Sequence, residues 1–235
     1  MVMPEILAFI PARGGSKRLP MKNITPLRGQ PLISYTIEAA LASEVTRTIV
    51  STDSEEIAGL SRELGADVPF LRPKRLAGNR SIIEDAIFDV LKKLQKRENY
   101  TPDIIVLLQP TSPLRDARHI DESIELLMTS RAESVVSVSD PMEHPAQMVR
   151  WEGYGRMCFA LGEGIVPGII QHQDFPEYFF INGAIYCFTI ESLFLYKSRF
   201  SEKPIPYLMN GIHSIDVDTS DEFQIVEAVM EHLSS

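Results

Sequence analysis

The chain has 235 residues, enough for one generous domain with a core of its own. Its formal net charge is -9, from 23 Lys plus Arg against 32 Asp plus Glu, which argues against a general nucleic-acid coat or an anionic-membrane binder. Hydrophobic residues make up 44% and charged residues 23%, an ordinary globular balance; the two cysteines, Cys158 and Cys187, are too few for a disulfide framework and lack metal-ligand spacing, so a cytoplasmic setting is expected.

In chain order, the first ten residues have no basic segment ahead of a long apolar run, and no stretch approaches the roughly 20 apolar residues that cross a bilayer; neither export nor a membrane span is expected. Short apolar runs at residues 6–10, 48–51, 68–71, 104–109 and 134–138 predict strands. Between them, amphipathic stretches at 31–43, 54–64, 83–97 and 117–130 predict helices, the second opened by Ser54 with acids behind it and closed by Gly65. Strand and helix in alternation predict an α/β fold with a doubly wound, mostly parallel sheet. Residues 140–180 are rich in Pro and Gly and lack helical period, as expected of an insertion carrying short strands of its own. The core pattern resumes with a strand at 184–188 and a helix at 190–197. It ends with a strand at 213–217 and a helix at 221–232 capped by Thr219 or Ser220.

Positive charge is concentrated in two loops. Arg13, Lys17, Arg18, Lys22 and Arg28 form one acid-free run, and Arg72, Lys74, Arg75 and Arg80 another; together they hold nine of the 23 basic residues. The first loop follows the first strand directly, as Ile10-Pro11-Ala12-Arg13-Gly14-Gly15-Ser16-Lys17-Arg18-Leu19-Pro20-Met21-Lys22-Asn23. Tandem glycines let backbone N–H groups approach an anion, Ser16 adds a hydroxyl, and the lysines supply mobile charge for phosphate oxygens. The spacing matches neither the P-loop nor the dinucleotide fingerprint.

This segment resembles the nucleotide-binding signature of the CMP-N-acylneuraminate synthetases, the acylneuraminate cytidylyltransferases. Four further segments agree in order: residues 49–53 (Ile-Val-Ser-Thr-Asp), 107–115 (Leu-Leu-Gln-Pro-Thr-Ser-Pro-Leu-Arg), 182–186 (Asn-Gly-Ala-Ile-Tyr) and 214–219 (Ser-Ile-Asp-Val-Asp-Thr). The resemblance implies a single Rossmann-like nucleotidyltransferase domain. It further implies that CTP and a nine-carbon 2-keto-3-deoxy sugar acid, of sialic or legionaminate type, give the CMP-sugar and pyrophosphate. No covalent enzyme intermediate is involved, and the expected cofactor is Mg²⁺ or Mn²⁺. Carried onto this chain, Ala12, Arg13, Gly15, Ser16, Lys17, Lys22, Asn23, Arg72 and Ser81 would bind the nucleotide. Gln109, Gln147, His172, Asn182 and Tyr186 would bind the sugar, and Asp216 and Asp218 the metal; Arg13, Lys22, Gln109 and Asp218 would carry catalysis. Residues 140–180 correspond to a dimerisation extension, which implies a homodimer with His172 and Gln147 acting in trans.

Plainer roles stand beside these. Arg72 could salt-bridge the acidic remainder of the chain, Tyr186 could be a core aromatic, Asp53 could be a site residue or a helix cap, and one of Asp216 and Asp218 could merely cap the last helix. The chain also departs from the family pattern. Gln147 and His172 stand where neuraminate-specific members carry Lys and Arg, Phe180 and Ile181 replace an expected Arg, and Asn79-Arg80 replaces Asp-Thr. These changes point to a related nonulosonate and leave a purine donor, an octulosonate acceptor and a catalytically silent nucleotide-sugar-binding protein as alternatives.

Overall fold

The computed structural model describes residues 3–15, 19, 21–161 and 176–233. Strand β1 (Ile6–Pro11) is followed by a 3-10 turn (Lys22–Ile24) and a small hairpin, β2 (Pro26–Leu27) and β3 (Gln30–Pro31). Next come α1 (Leu32–Leu41), β4 (Arg47–Ser51), α2 (Glu55–Glu63), α3 (Ile83–Glu98), β5 (Ile104–Leu108), α4 (Ala117–Ser130) and β6 (Ser134–Ser139). The hairpin β7 (Val149–Gly153) and β8 (Arg156–Phe159) then precedes β9 (Phe180–Thr189), α5 (Ile190–Tyr196), β10 (Ile205–Leu208) and α6 (Ser220–Leu233).

The main sheet has the order β10-β6-β9-β5-β1-β4. Its neighbours are parallel except around β9, which runs antiparallel to both β5 and β6. Alternation along each strand feeds two apolar layers. From β1, Ala8 and Ile10 face α1, α2 and α4, whereas Leu7 and Phe9 face α3 and α5. A third cluster joins Leu27 and Leu32 to Leu114, Val217, Phe223 and Val226, seating α6 beside the first loop. Caps fix the helix starts: the Ser54 hydroxyl accepts from Ile57 N–H (3.4 Å), and Asp116 and His119 form a capping box on α4.

Two expected strands are not strands. Residues 68–71 stop at one bridge, Ile49 with Asp67, because Pro69 has no N–H to continue the ladder. Residues 213–217 split between a 3-10 turn (Gly211–Ser214) and irregular chain held by Val217 N–H on Thr111 O (2.8 Å). The edge is supplied instead by β10, whose Pro206 masks its strand pattern and is tolerated because β10 pairs on one side only.

Candidate active site

The parallel strands that build the site end at the same edge of the sheet, where open α/β sheets bind ligands, and the antiparallel β9 begins there. The chain leaving β1 is fixed there. Ala12 is fully buried and its N–H donates to Ser51 O at 2.9 Å; Gly14 N–H donates to Asp53 Oδ1 at the same distance. Asp53 therefore anchors the loop, and capping of α2 falls to Ser54. A Cβ on Gly14 would lie 3.1 Å from Ser54 Cβ, so the close approach of loop and helix requires glycine. Gly15 is exposed in open space, so its backbone stands accessible. Ser16 and Lys17 lie outside the described residues.

Arg13 reaches across to the second basic loop, where its Nη1 donates to Gly78 O (3.3 Å) and Asn79 Oδ1 (3.2 Å). Asn79, one of the departures from the family pattern, thus joins the two basic loops. Asn23 closes the first loop by donating from Nδ2 to Arg13 O at 3.0 Å. Arg72 is buried and clamps the end of β4: Nε donates to Ser51 Oγ (3.0 Å) and Nη2 to Ser51 O (2.7 Å). Burial lowers its pKa to about 10, Asp53 opposes that shift and Arg13 adds to it. Ser81 donates to Arg75 O (3.2 Å) and so ties off the second loop.

Lys22 is buried on its 3-10 turn and donates from Nζ to Asp218 Oδ1 (2.7 Å) and Val217 O (2.9 Å). Asp216 points into the same half-buried region. Burial raises its carboxyl pKa, the Thr111 hydroxyl draws it down, and the Asp218 charge raises it again. A buried carboxyl beside a second carboxylate is an oxygen donor pair suited to a hard divalent cation. Among the described residues no cluster of three His, Cys, Asp or Glu could hold a metal, so the remaining ligands would come from phosphate oxygens or water. Neither aspartate caps α6. Thr219 does that, its hydroxyl accepting from Glu222 N–H (3.4 Å), while Glu222 accepts from the N–H groups of Asp218 and Thr219, both at 2.7 Å. Burial alone would raise the Glu222 pKa, but these N–H donors hold it below the usual range. Glu222 was legible as the fourth residue of a Thr-x-x-Glu capping box.

On the other side of the sheet edge, Gln109 follows β5. Gly183 sits at φ +80, and an added Cβ there would lie 3.5 Å from Gln109 Nε2 and 4.0 Å from the Tyr186 hydroxyl, so the three converge. Tyr186 is a buried core ring that also presents its hydroxyl toward this point. Asn182 is buried and cross-linked: Oδ1 accepts from Ser137 Oγ (2.6 Å) and Ala184 N–H (3.1 Å), and Nδ2 donates to Ser214 Oγ (3.0 Å). Gln147 is exposed on the 3-10 turn Pro145–Gln147 and makes no side-chain hydrogen bond to Gln109, Asn182 or Tyr186. His172 lies outside the described residues.

Three further side chains complete this half. Arg115 is fully buried and donates to Gln109 O (3.2 Å), Ala184 O (2.9 Å) and Thr36 Oγ1 (2.7 Å), fixing β5, β9 and α1 together. It closes the 107–115 motif, which is its sequence signal. Glu84 and Arg199 are ion-paired at 2.7 Å across 115 residues of chain, a separation that leaves no local signal. Both line a cleft of about 420 Å³ that also contains Gln109.

Residues 7–153 match the family model described as Cytidylyltransferase. The chain is 39% identical over 234 residues to the CMP-N,N'-diacetyllegionaminic acid synthase of Legionella pneumophila, covering 97% of each. It is 34% identical over 222 residues to the N-acylneuraminate cytidylyltransferase of Streptococcus agalactiae, covering 92% of this chain and 51% of that longer protein. Among solved structures, CMP:2-keto-3-deoxy-manno-octonic acid synthetase complexed with CTP has the same fold, with a TM-score of 0.71 at 18% identity, covering 97% of this chain and 99% of that one.

Proposed function

The chain belongs to the cytidylyltransferase family, and from that premise we propose that it moves the cytidylyl group of CTP onto a nine-carbon 2-keto-3-deoxy sugar acid and releases pyrophosphate. The observation that carries this reading is the gathering of charged and polar groups at one sheet edge: Asp53 holds the first loop, Asn23 bonds to the Arg13 carbonyl, Lys22 pairs with Asp218, and the charges of Arg13 and Asp218 are felt by Arg72 and Asp216. A triphosphate needs such converging cations, and the transfer needs positioning and charge neutralisation more than covalent chemistry.

In this reading the acceptor's anomeric hydroxyl oxygen bonds to the α-phosphorus and gives up its proton to water, as the bond to the β-phosphate bridging oxygen breaks and pyrophosphate leaves. Arg13, Lys22 and the Gly15 N–H face the phosphates; Ser16 and Lys17, which lie outside the described residues, are assigned to them by the family resemblance. Arg72, Ser81, Ala12 and Asn23 frame the nucleoside end. Asp216 and Asp218 would hold Mg²⁺ or Mn²⁺, which when bound neutralises phosphate charge. Lys22 orients Asp218 through their 2.7 Å pair. Gln109 and Tyr186 contact the sugar acid, with Asn182 beside them; the family resemblance assigns Gln147, and His172 outside the described residues, to a neighbouring subunit's acceptor. A homodimer is supported by the apolar side chains that β7, β8 and the start of β9 leave exposed: Val149, Trp151, Met157, Phe180 and Ile181. A cytoplasmic location is supported by two free cysteines. Among the described residues no helix is long and apolar enough to cross a membrane.

The test is pyrophosphate release with Mg²⁺ and each of CTP, GTP, ATP and UTP, against N-acetylneuraminate and legionaminate-type acids. Release with CTP and a nonulosonate is expected; silence across the panel from folded protein overturns the reading.

A further inference from the structure

The tip of the second basic loop is tied to itself and to one side chain of the first. Ser81 N–H donates to Gly78 O (3.1 Å) and Ser81 Oγ to Arg75 O (3.2 Å), which closes residues 75–81 on themselves. Asn79 stands exposed on this tip, where its side-chain oxygen accepts from Arg13 Nη1 at 3.2 Å beside the Gly78 carbonyl at 3.3 Å. Both contacts fall on Nη1; Nη2 and Nε have no hydrogen-bond partner among the described residues. Both acceptors are also neutral. No acid occurs from residue 11 to 23 or from 72 to 80, and Asp53, just beyond β4, accepts from Gly14 N–H. Arg13 is thus held by uncharged groups and keeps its own charge.

An aspartate at position 79 would act in the opposite sense. A carboxylate matches the fork of a guanidinium, pairs with two of its nitrogens and cancels its charge. It would also set a negative charge beside any bound phosphate. We propose that Asn79 is a positioning residue for Arg13, an amide that holds the guanidinium between the two basic loops without neutralising it. Asn79 has this role only if Arg13 faces the phosphates, as in the reaction proposed above. Being exposed, it can be replaced with little effect on folding.

The experiment measures dissociation constants of CMP, CDP and CTP by titration calorimetry in metal-free buffer without acceptor. In Asn79→Asp the loss of affinity should grow with phosphate charge, from about twofold for CMP to about tenfold for CTP, and CTP affinity should depend less steeply on salt than in the wild type. Asn79→Ala loses the aim but not the charge, so CTP should weaken about threefold with the wild-type salt dependence. In turnover with Mg²⁺ both variants should raise the KM for CTP and leave the acceptor KM unchanged. Equal losses for CMP, CDP and CTP in Asn79→Asp overturn the proposal, because a distorted loop would act on all three alike. So does wild-type CTP affinity in that variant. A wild type that binds no CTP is a different result: it overturns the nucleotide reading, and the role of Asn79 with it.

Discussion

Lys22 donates to a backbone carbonyl and to Asp218 at once, so its ammonium position reports the state of that carboxylate. Asp218→Asn keeps the volume and removes the charge. Because the Asp218 side chain is 42% exposed, the ion pair contributes little to folding, and the variant should melt close to the wild type. Turnover should fall on the order of 1,000-fold, the several kcal/mol that charge stabilisation of a phosphoryl group supplies. Near-normal turnover in Mg²⁺ would remove Asp218 from the site. Gly183 offers a second test at this scale. Its φ of +80 disfavours any side chain, so Gly183→Ala should lose about 1–2 kcal/mol in urea unfolding. The new Cβ would also touch Gln109 and the Tyr186 hydroxyl, so the acceptor KM should rise while the CTP KM holds; equal rises in both would place Gly183 outside the acceptor half.

Among elements, α4 carries a pH signal. Its capping box sets His119 against Asp116 at 2.5 Å, with the His213 ring 4.9 Å away. Burial pushes the His119 pKa below the ordinary 6.5; Asp116 opposes that shift and His213 adds to it. The folded state therefore resists a proton that the unfolded state takes up, so stability should fall as pH drops through 6.5 toward the folded value. For Asp116, burial would raise the pKa, but the backbone and ring of His119 hold it lower, so its contribution is present above 3.8 and is lost as pH falls through the depressed value. Urea midpoints should decline from pH 7 to pH 5, and His119→Gln should flatten that decline; an unchanged slope would assign it elsewhere. The helices were legible because caps and apolar period are local: Ser54, Asp116 and Thr219 stand where their side chains accept from the first turn. Two segments with an internal proline were not, since Pro69 ends a run that looks continuous and Pro206 hides an edge strand that is tolerated only because one side is unpaired.

For the whole molecule, the residues proposed for the nucleotide come in compact motifs that the sequence shows, and hydrogen bonds join Asn23 to Arg13 and Lys22 to Asp218 and fix Arg72 on Ser51. The residues proposed for the acceptor were less so. Arg199 and Glu84 meet from distant segments, and only the packing of α3 against the chain after α5 brings them together. Trp151 is 70% exposed on the β7–β8 hairpin, with Met157 paired opposite it. Light scattering at micromolar concentration should give a dimer, and Trp151→Asp should shift it toward monomer; a monomeric wild type would overturn the assembly.

The antiparallel β9 occupies the middle of the sheet, between two strands that precede it in the chain by dozens of residues. During synthesis, β5 and β6 emerge first and must wait with unpaired edges until β9 arrives, a long-range closure that is slow and open to misassociation. A nascent chain that has not yet delivered β9 also lacks the Ala184 carbonyl that holds Arg115, so the site is assembled last. Chains arrested before Phe180 should therefore be cut readily by protease and fail to retain CTP, whereas release of the chain through α6, which also delivers Asp216 and Asp218, should confer both resistance and binding.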